Sequence, residues 1–486
     1  MLSGDIEQFI IEYVRELDAG TAAVFAGAGL SVGAGFVDWV SLLGPIAREL
    51  GLDSKKEQDH LVALAQYHVN ENHDNRSELH KRLLVEFPTP KSPSENHQIL
   101  ARLPIPVFWT TNYDRLIESA LEEARKIPDV KYANPQLAYT KPRRDAVVYK
   151  MHGDIEQPDQ AVLTKDDYER YAIDRAPFIT ALSGDLVSRT FLFLGFSFKD
   201  PNLDYVLARI RIHMDKNGRR HYCVMRQVQK SDFESTDDFS YAKVKQKLAI
   251  EDLKRFNIKA LLVDDYAQLT EMLQRLEAMH RKKTIFFSGS AEVFGDWEKI
   301  DVEEFLVNLG HILVDREYRI VSGFGWGISN ALLSGATESV YSGCKGHFED
   351  FLTVRPFPRH IADPADRKHI WSQFRRDMIQ RAGIALFLFG NKKVDNQIAL
   401  ADGVLEEFDI AEECGLELVP VGATGFVAEE LGQRILDNIG THSPRYVEAF
   451  KRLQERSERP QELSSRIITF LDLLTQETKG TLQKSP

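Results

Sequence analysis

The sequence predicts an α/β protein with two parallel-sheet domains in tandem. Three observations lead there. Short apolar, β-branched runs alternate with amphipathic helical stretches along the chain. Several of these runs stop at glycine or small polar residues, as the carboxyl ends of buried strands do where a ligand is to be met. After a charged helix ending in Met279–Lys283 the pattern starts afresh with "TIFFSGSAEVFGDW". The expected division is therefore 1–283 and 284–486.

Residues Asp5 to Leu17 place Ile6, Phe9, Ile10, Tyr13, Val14 and Leu17 at helical spacing, with Gly20 as the stop. Strands are expected at Ala22–Phe25, Val107–Thr110, Val147–Tyr149, Phe191–Leu194, Tyr222–Met225 and Ala260–Val263. Between them lie helices such as Tyr113–Lys126, with Leu116, Ile117, Ala120, Leu121 and Ala124 on one face. In the second half, strands are expected at the start of "TIFFSGS", at Arg319–Ser322, Ala385–Phe389 and Leu418–Val421, with a late helix around Ile467–Leu474. The stretch Gly343–Asp366, rich in glycine, proline and charge, reads as a long surface loop.

The chain has 486 residues, 43% of them hydrophobic and 28% charged, as in ordinary soluble globular proteins. Its net charge of −12 argues against non-specific nucleic-acid binding, which needs a basic surface. The three cysteines, Cys223, Cys344 and Cys414, lie far apart and make neither a disulfide framework nor a four-cysteine zinc site. The first twenty residues lack a basic leader, and no apolar run is long enough for a membrane span. A cytoplasmic location, with no membrane partner, is the expectation.

Four strand ends in the first half carry candidate chemistry. "AAVFAGAGLSVGAG" runs a small strand into Gly27, Ala28, Gly29 and Ser31; glycines there let backbone approach a pyrophosphate at a helix start. "VFWTTNYDRL" ends in Asn112 and Asp114, an amide and a carboxylate suited to a carboxamide and a ribose hydroxyl, or else to capping the next helix. "AVVYKMHGD" ends in His152, Gly153 and Asp154, and "FLFLGFSFKDPNLDY" in Gly195, Ser197 and Asp200. An imidazole whose ordinary pKa is near 6.5 suits a general base. Asp154 and Asp200 are left open between site and structure, and Lys165–Tyr168 is expected to pack or cap locally. Together the four ends suggest a nucleotide crevice.

Taken in order, Gly27-Ala28-Gly29-Leu30-Ser31, Thr111-Asn112-Tyr113-Asp114, His152-Gly153 and Gly195-Phe196-Ser197 resemble the NAD-binding core of the sirtuins, over roughly residues 10 to 265. Asp38 falls where sirtuins carry the aspartate of their phenylalanine-arginine loop motif. One departure is clear: sirtuin deacylases hold zinc with two C-x-x-C pairs, and this chain has no cysteine before Cys223. The resemblance implies NAD+ as substrate, with no zinc and with water as acceptor. Asn112 and His152 would be catalytic, and Gly27, Ala28, Gly29, Ser31, Asp114, Gly195 and Ser197 would bind NAD+.

In the second half, Gly289 and Ser290, and then Gly323, Gly325 and Gly327 in "IVSGFGWGISNALL", follow expected strands and precede expected helices. "WSQFRRDMIQRAG" adds Arg375, Arg376 and Arg381, and Lys392 follows the strand "IALFLF"; such groups take phosphate oxygens. A solvated basic helix face is the alternative, chiefly for Arg376 and Arg381. This half resembles the SLOG family, sensor domains related to Rossmann-like phosphoribohydrolases. Where those enzymes carry a glycine-rich catalytic loop, this chain reads "ADGVLEEFDIAEECG", keeping Glu406 and Glu407.

The pairing, with "LVALAQYHVNEN", "HQILARLP" and "VPVGATG", resembles the two-domain NADase effectors of the Thoeris anti-phage defence system. That likeness implies two Rossmann-like parallel-sheet domains, sirtuin-like followed by SLOG. It implies an NAD+ hydrolase held inactive until the SLOG domain binds a cyclic ADP-ribose isomer made by a TIR-domain partner. Arg375, Lys392 and Glu407 would hold that signal, with Gly289, Ser290, Gly323, Gly325 and Gly327 around it, and the chain would assemble as a homotetramer. Competing readings are a sirtuin-type protein deacylase, a non-catalytic nucleotide-binding scaffold, and a phosphoribohydrolase lacking its loop.

Overall fold

In the computed structural model, residues 2–54, 56–57, 60–87, 91–196, 198, 200–214, 218–343, 346–358, 360–440 and 442–480 are described. The chain forms two compact units, Met1–Glu277 and Ala278–Pro486. The first is built on a seven-stranded sheet of β1 (Ala22–Ala26), β2 (Val107–Thr110), β3 (Pro128–Lys131), β4 (Ala146–Lys150), β5 (Thr190–Leu194), β6 (His221–Arg226) and β7 (Ile258–Val263). Their spatial order is β3-β4-β2-β1-β5-β6-β7, and every adjacent pair is parallel.

The cause is local. β1, β2 and β5 are buried at every residue, which a strand covered by helices on both faces requires. Their register aligns Ala26 with Thr110 and with Leu194, so the three strands end level. β1 is central; the chain leaves it toward β2 on one side and returns through β5 on the other. That reversal is the switch point where open parallel sheets form a crevice at their carboxyl edge. Between β1 and β2 the helices Trp39–Glu49, Leu61–Glu71 and Ser77–Glu86 share an apolar core that includes Leu43, Ile46, Leu64 and Leu83.

The second unit holds β8 (Thr284–Ser290), β9 (Arg319–Ser322), β10 (Leu352–Val354), β11 (Ile384–Phe389), β12 (Asn391–Val394), β13 (Gln397–Leu400) and β14 (Glu417–Pro420). Five of them form a parallel sheet ordered β10-β9-β8-β11-β14, while β12 and β13 make an antiparallel hairpin. Here the order reverses between β8 and β11. Among the described residues no helix is long and apolar enough to cross a membrane.

Some expectations are corrected. The segment Gly343–Asp366 is not simply a loop: it contains the helix Phe348–Phe351, β10, and the start of the helix Pro364–Ile379. β3, β10 and the β12–β13 hairpin were not expected at all. Gly289 and Ser290 are the last residues of β8 rather than a loop, and the next helix begins only at Lys299. The helix expected at Tyr113–Lys126 is the shorter Leu116–Glu123.

Candidate functional site

The four motif ends follow β1, β2, β4 and β5, four neighbouring strands of the sheet, so the fold gathers residues up to 173 positions apart (Gly27 to Asp200) at one edge. The glycines fit each other first. Gly195 has φ +61°, and a Cβ there would lie 2.2 Å from the Leu30 nitrogen. Gly27 N–H donates to the Leu194 carbonyl at 2.9 Å and Gly29 N–H to the Gly195 carbonyl at 3.0 Å. These two amides join the β1 and β5 ends. Ser197 lies outside the described residues.

Above this joint is a chain of buried polar groups. Thr110 Oγ1 donates to the Ala26 carbonyl at 2.9 Å and accepts from Asn112 N–H at 2.9 Å. Asn112 Nδ2 donates to the Gly27 carbonyl at 3.1 Å and to Ser31 Oγ at 2.9 Å, and Ser31 donates to Asp114 Oδ2 at 2.7 Å. Asp114 Oδ1 accepts the Leu116 N–H at 3.0 Å, capping the helix. One Asp114 oxygen thus serves the helix, as the capping reading expects, and the other serves the cluster. Ala28 begins the short helix Ala28–Val32, for which Gly27 is the cap.

His152 is 1% exposed. Its Nε2 lies 3.2 Å from Asp200 Oδ2, an ion-pair contact not aligned as a hydrogen bond. Its Nδ1 stands 3.5 Å from the Tyr168 hydroxyl, and the Tyr168 and Tyr171 rings pack edge-on. Asp200 Oδ1 accepts N–H groups of Asn202 (2.9 Å) and Leu203 (3.1 Å), capping the helix Pro201–Met214. Burial works against a charge on Asp200, yet the His152 imidazole and those N–H groups outweigh it and hold its carboxyl below the ordinary value. Asp154 faces away, accepting from Lys150 and from Glu156 N–H.

Sequence reasoning had not chosen between roles for Asp200 and had assigned Tyr168 to local packing; the fold puts both against His152. An acidic residue just before a proline-led helix was the available signal. Asp38 accepts Ser41 N–H at 2.8 Å and caps the helix Trp39–Glu49.

The second unit gathers its candidates at its own switch point. Arg375 is buried; Nη1 donates to Glu406 Oε2 at 2.8 Å, Nε to Glu407 Oε1 at 3.3 Å, and the guanidinium lies 4.9 Å from the Phe357 ring centre. Glu407 Oε2 accepts from Ser288 Oγ at 2.6 Å. Burial pushes the Glu407 carboxyl up, and neither Ser288 nor Arg375 offsets it fully. Lys392 pairs with Asp402, and Ser290 Oγ donates to the Asn391 carbonyl at 3.0 Å. Gly325 and Gly327 close on the end of β8, where a Cβ on Gly325 would sit 1.9 Å from the Gly289 carbonyl oxygen and one on Gly327, at φ +82°, 1.9 Å from that of Ala291, whereas Gly323 packs against Phe357. Arg376 pairs with Glu413 and Arg381 with its own helix's Asp377 carbonyl, away from this cluster.

A parallel-sheet unit with polar groups converging on its switch point is the α/β architecture that meets ligands at its carboxyl edge, here present twice. Residues 106–251 match the SIR2-like domain family, and 268–474 match the Sir2- and TIR-associating SLOG family. Full-length relatives agree. NAD(+) hydrolase ThsA of Acinetobacter baumannii (strain 532279) is 49% identical, over 95% of this chain and 97% of that protein. NAD(+) hydrolase ThsA of Bacillus cereus (strain MSX-D12) is 47% identical over 97% and 98%, and that of Cytobacillus dafuensis is 41% identical over 97% of each. The chain belongs to the ThsA family of NAD(+) hydrolases.

Proposed function

We propose that the first unit hydrolyses NAD+ to nicotinamide and ADP-ribose, and that the second binds a cyclic ADP-ribose isomer that switches this activity on. The observation that carries the reading is the convergence of Asn112, Ser31, Asp114 and His152 at one sheet edge, in a chain 49% identical over 95% of its length to a protein named as an NAD(+) hydrolase.

In the reaction the nicotinamide–ribose bond breaks, positive charge grows on the ribose C1′, and water supplies the new C1′–oxygen bond and releases one proton. Asn112 orients the ribose or the water, its amide being fixed by two bonds to the protein. His152 takes the proton, and Asp200 beside Nε2 favours the imidazolium that results. Because His152 is 1% and Asn112 8% exposed, a movement must precede substrate entry, which supports a resting form that needs activation.

Arg375, Lys392 and Glu407, with Gly289, Ser290, Gly323, Gly325 and Gly327, form the proposed signal site. The SLOG family description, with its Sir2 and TIR association, supports a TIR-domain protein as source of the signal. Activation follows only if the signal binds the active arrangement more tightly than the resting one. The test is product analysis by chromatography with purified full chain, NAD+ and activator. Equal release of nicotinamide and ADP-ribose supports the proposal; O-acetyl-ADP-ribose formed only with an acetylated peptide would instead make the chain a deacylase.

A further inference from the structure

Lys150, last residue of β4, lies beneath the candidate site and is fully buried (0% exposed). Its ammonium donates to the Asp114 carbonyl at 2.6 Å and the Tyr113 carbonyl at 3.1 Å. It also donates to Asp154 and lies 3.1 Å from Glu118 Oε1, a contact not aligned as a hydrogen bond. One group thus joins three segments: the loop after β2 that carries Asn112 and Asp114, the turn after β4 that carries His152, and the helix Leu116–Glu123.

A lysine so deep would ordinarily lose its proton. The carboxylates outweigh burial and hold its pKa above the ordinary lysine value, while burial pushes the Glu118 carboxyl up. Glu118 and Asp154 thus stabilise the ammonium's charge, while its three protons go to Asp154 and the two carbonyls. Ile155 N–H also donates to the Tyr113 carbonyl at 3.0 Å, so the two loops stay in touch without the lysine. What the lysine adds is the set of the Asp114 carbonyl, and through it the direction of Asn112 and Asp114 relative to His152.

We infer that Lys150 is a positioning residue for the reaction, whose ammonium holds the Asn112–Asp114 loop and the His152–Asp154 turn at one spacing so that both act on the same ribose. This rests on the NAD+-hydrolysis reading above. A displacement of about 1 Å in such a site costs roughly 100-fold in rate.

The test compares full-length variants with activator present, at a temperature well below unfolding. Lys150→Met should lower kcat roughly 10- to 100-fold, with KM changed by less than about threefold. Lys131→Met is the control: this buried lysine pairs with Asp129 at 2.8 Å on β3, away from the site. It should lose a comparable amount of thermal stability yet keep kcat within about twofold of wild type. Should Lys150→Met fail to fold, the neutral variant Lys150→Met/Glu118→Gln/Asp154→Asn replaces it, with the same loss of kcat expected. Wild-type kcat in either Lys150 variant would overturn the inference, as would an equal loss in Lys131→Met. If wild type itself does not hydrolyse NAD+, the functional reading fails separately. Hydrogen exchange at amides 111–114 and 152–155 then decides the clamp: faster in the Lys150 variant supports it, unchanged refutes it.

Discussion

Each unit sets a buried carboxylate against a basic side chain at a sheet switch point, and the two carboxylates respond oppositely. Asp200 faces His152 and sits below its ordinary pKa; Glu407 faces Arg375 and sits above it. The kind of partner alone does not explain this, since a guanidinium always carries its charge and an imidazole need not. The surroundings do: beside His152, Asp200 also accepts two N–H groups from the helix it caps, while Glu407, in the middle of a helix, meets burial and the neighbouring Glu406, which Ser288 and Arg375 do not offset.

A second difference follows. In the first unit Asn112, Ser31 and Asp114 are held by each other and by backbone, a preorganised set. In the second, both principal cations are already matched, Arg375 by Glu406 and Glu407, Lys392 by Asp402. A phosphate of the proposed signal would have to displace carboxylates there. The first arrangement suits chemistry, and the second suits a switch whose occupied and empty states differ in their ion pairs.

The comparison can be broken most forcefully at His152. His152→Ala should reduce NAD+ hydrolysis by about 100-fold or more, without loss of signal binding measured by calorimetry. Next is Arg375→Ala. It should remove a signal response of roughly 5- to 150-fold. It should also cost about 3–5 kcal/mol in chemical unfolding, because Glu407 is left buried without its cation; a full response in that variant would contradict the sensor assignment.

Gly195→Ala forces a side chain onto a residue at φ +61° and against the Leu30 nitrogen, so denaturant unfolding should show a loss of about 1–3 kcal/mol or more. Asp200→Asn sharpens the carboxylate contrast. Folding lowers the Asp200 pKa, so its contribution to stability is present above about 3.8 and is lost as pH falls through the folded value. The destabilisation by Asp200→Asn should therefore be larger at pH 7 than at pH 3. The smallest effect belongs to Asp402→Asn, whose pair with Lys392 is exposed: stability should change by less than about 1 kcal/mol. Signal affinity should rise modestly, and less so in high salt.

Of the strands that line the two sites, β1, β2, β5 and β11 were legible because they are buried at every residue and read as unbroken apolar runs. β3 (Pro128–Lys131) and β10 (Leu352–Val354) were not, since an edge strand of three or four residues carries no such run. The β12–β13 hairpin did have a signal: Asp395-Asn396, both at positive φ, is the two-residue turn that matches strand twist. Asn112 and His152 could be named because each directly follows a strand. What the sequence could not show is how their neighbours arrive. Asp200 reaches His152 from 48 positions along the chain, and Arg375 meets Glu407 across 32. Lys150 closes the apolar run "AVVY" as an ordinary strand-end charge, and nothing in the sequence marks it as buried.

The division of labour between the two sites is tested most directly by following NAD+ loss in wild type, His152→Ala and Arg375→Ala, with and without cyclic ADP-ribose isomers. The account predicts hydrolysis that depends on one isomer in wild type, none in His152→Ala, and none that the isomer induces in Arg375→Ala. Hydrolysis by His152→Ala at the wild-type rate, or no NAD+ loss by wild type with any isomer, would contradict it.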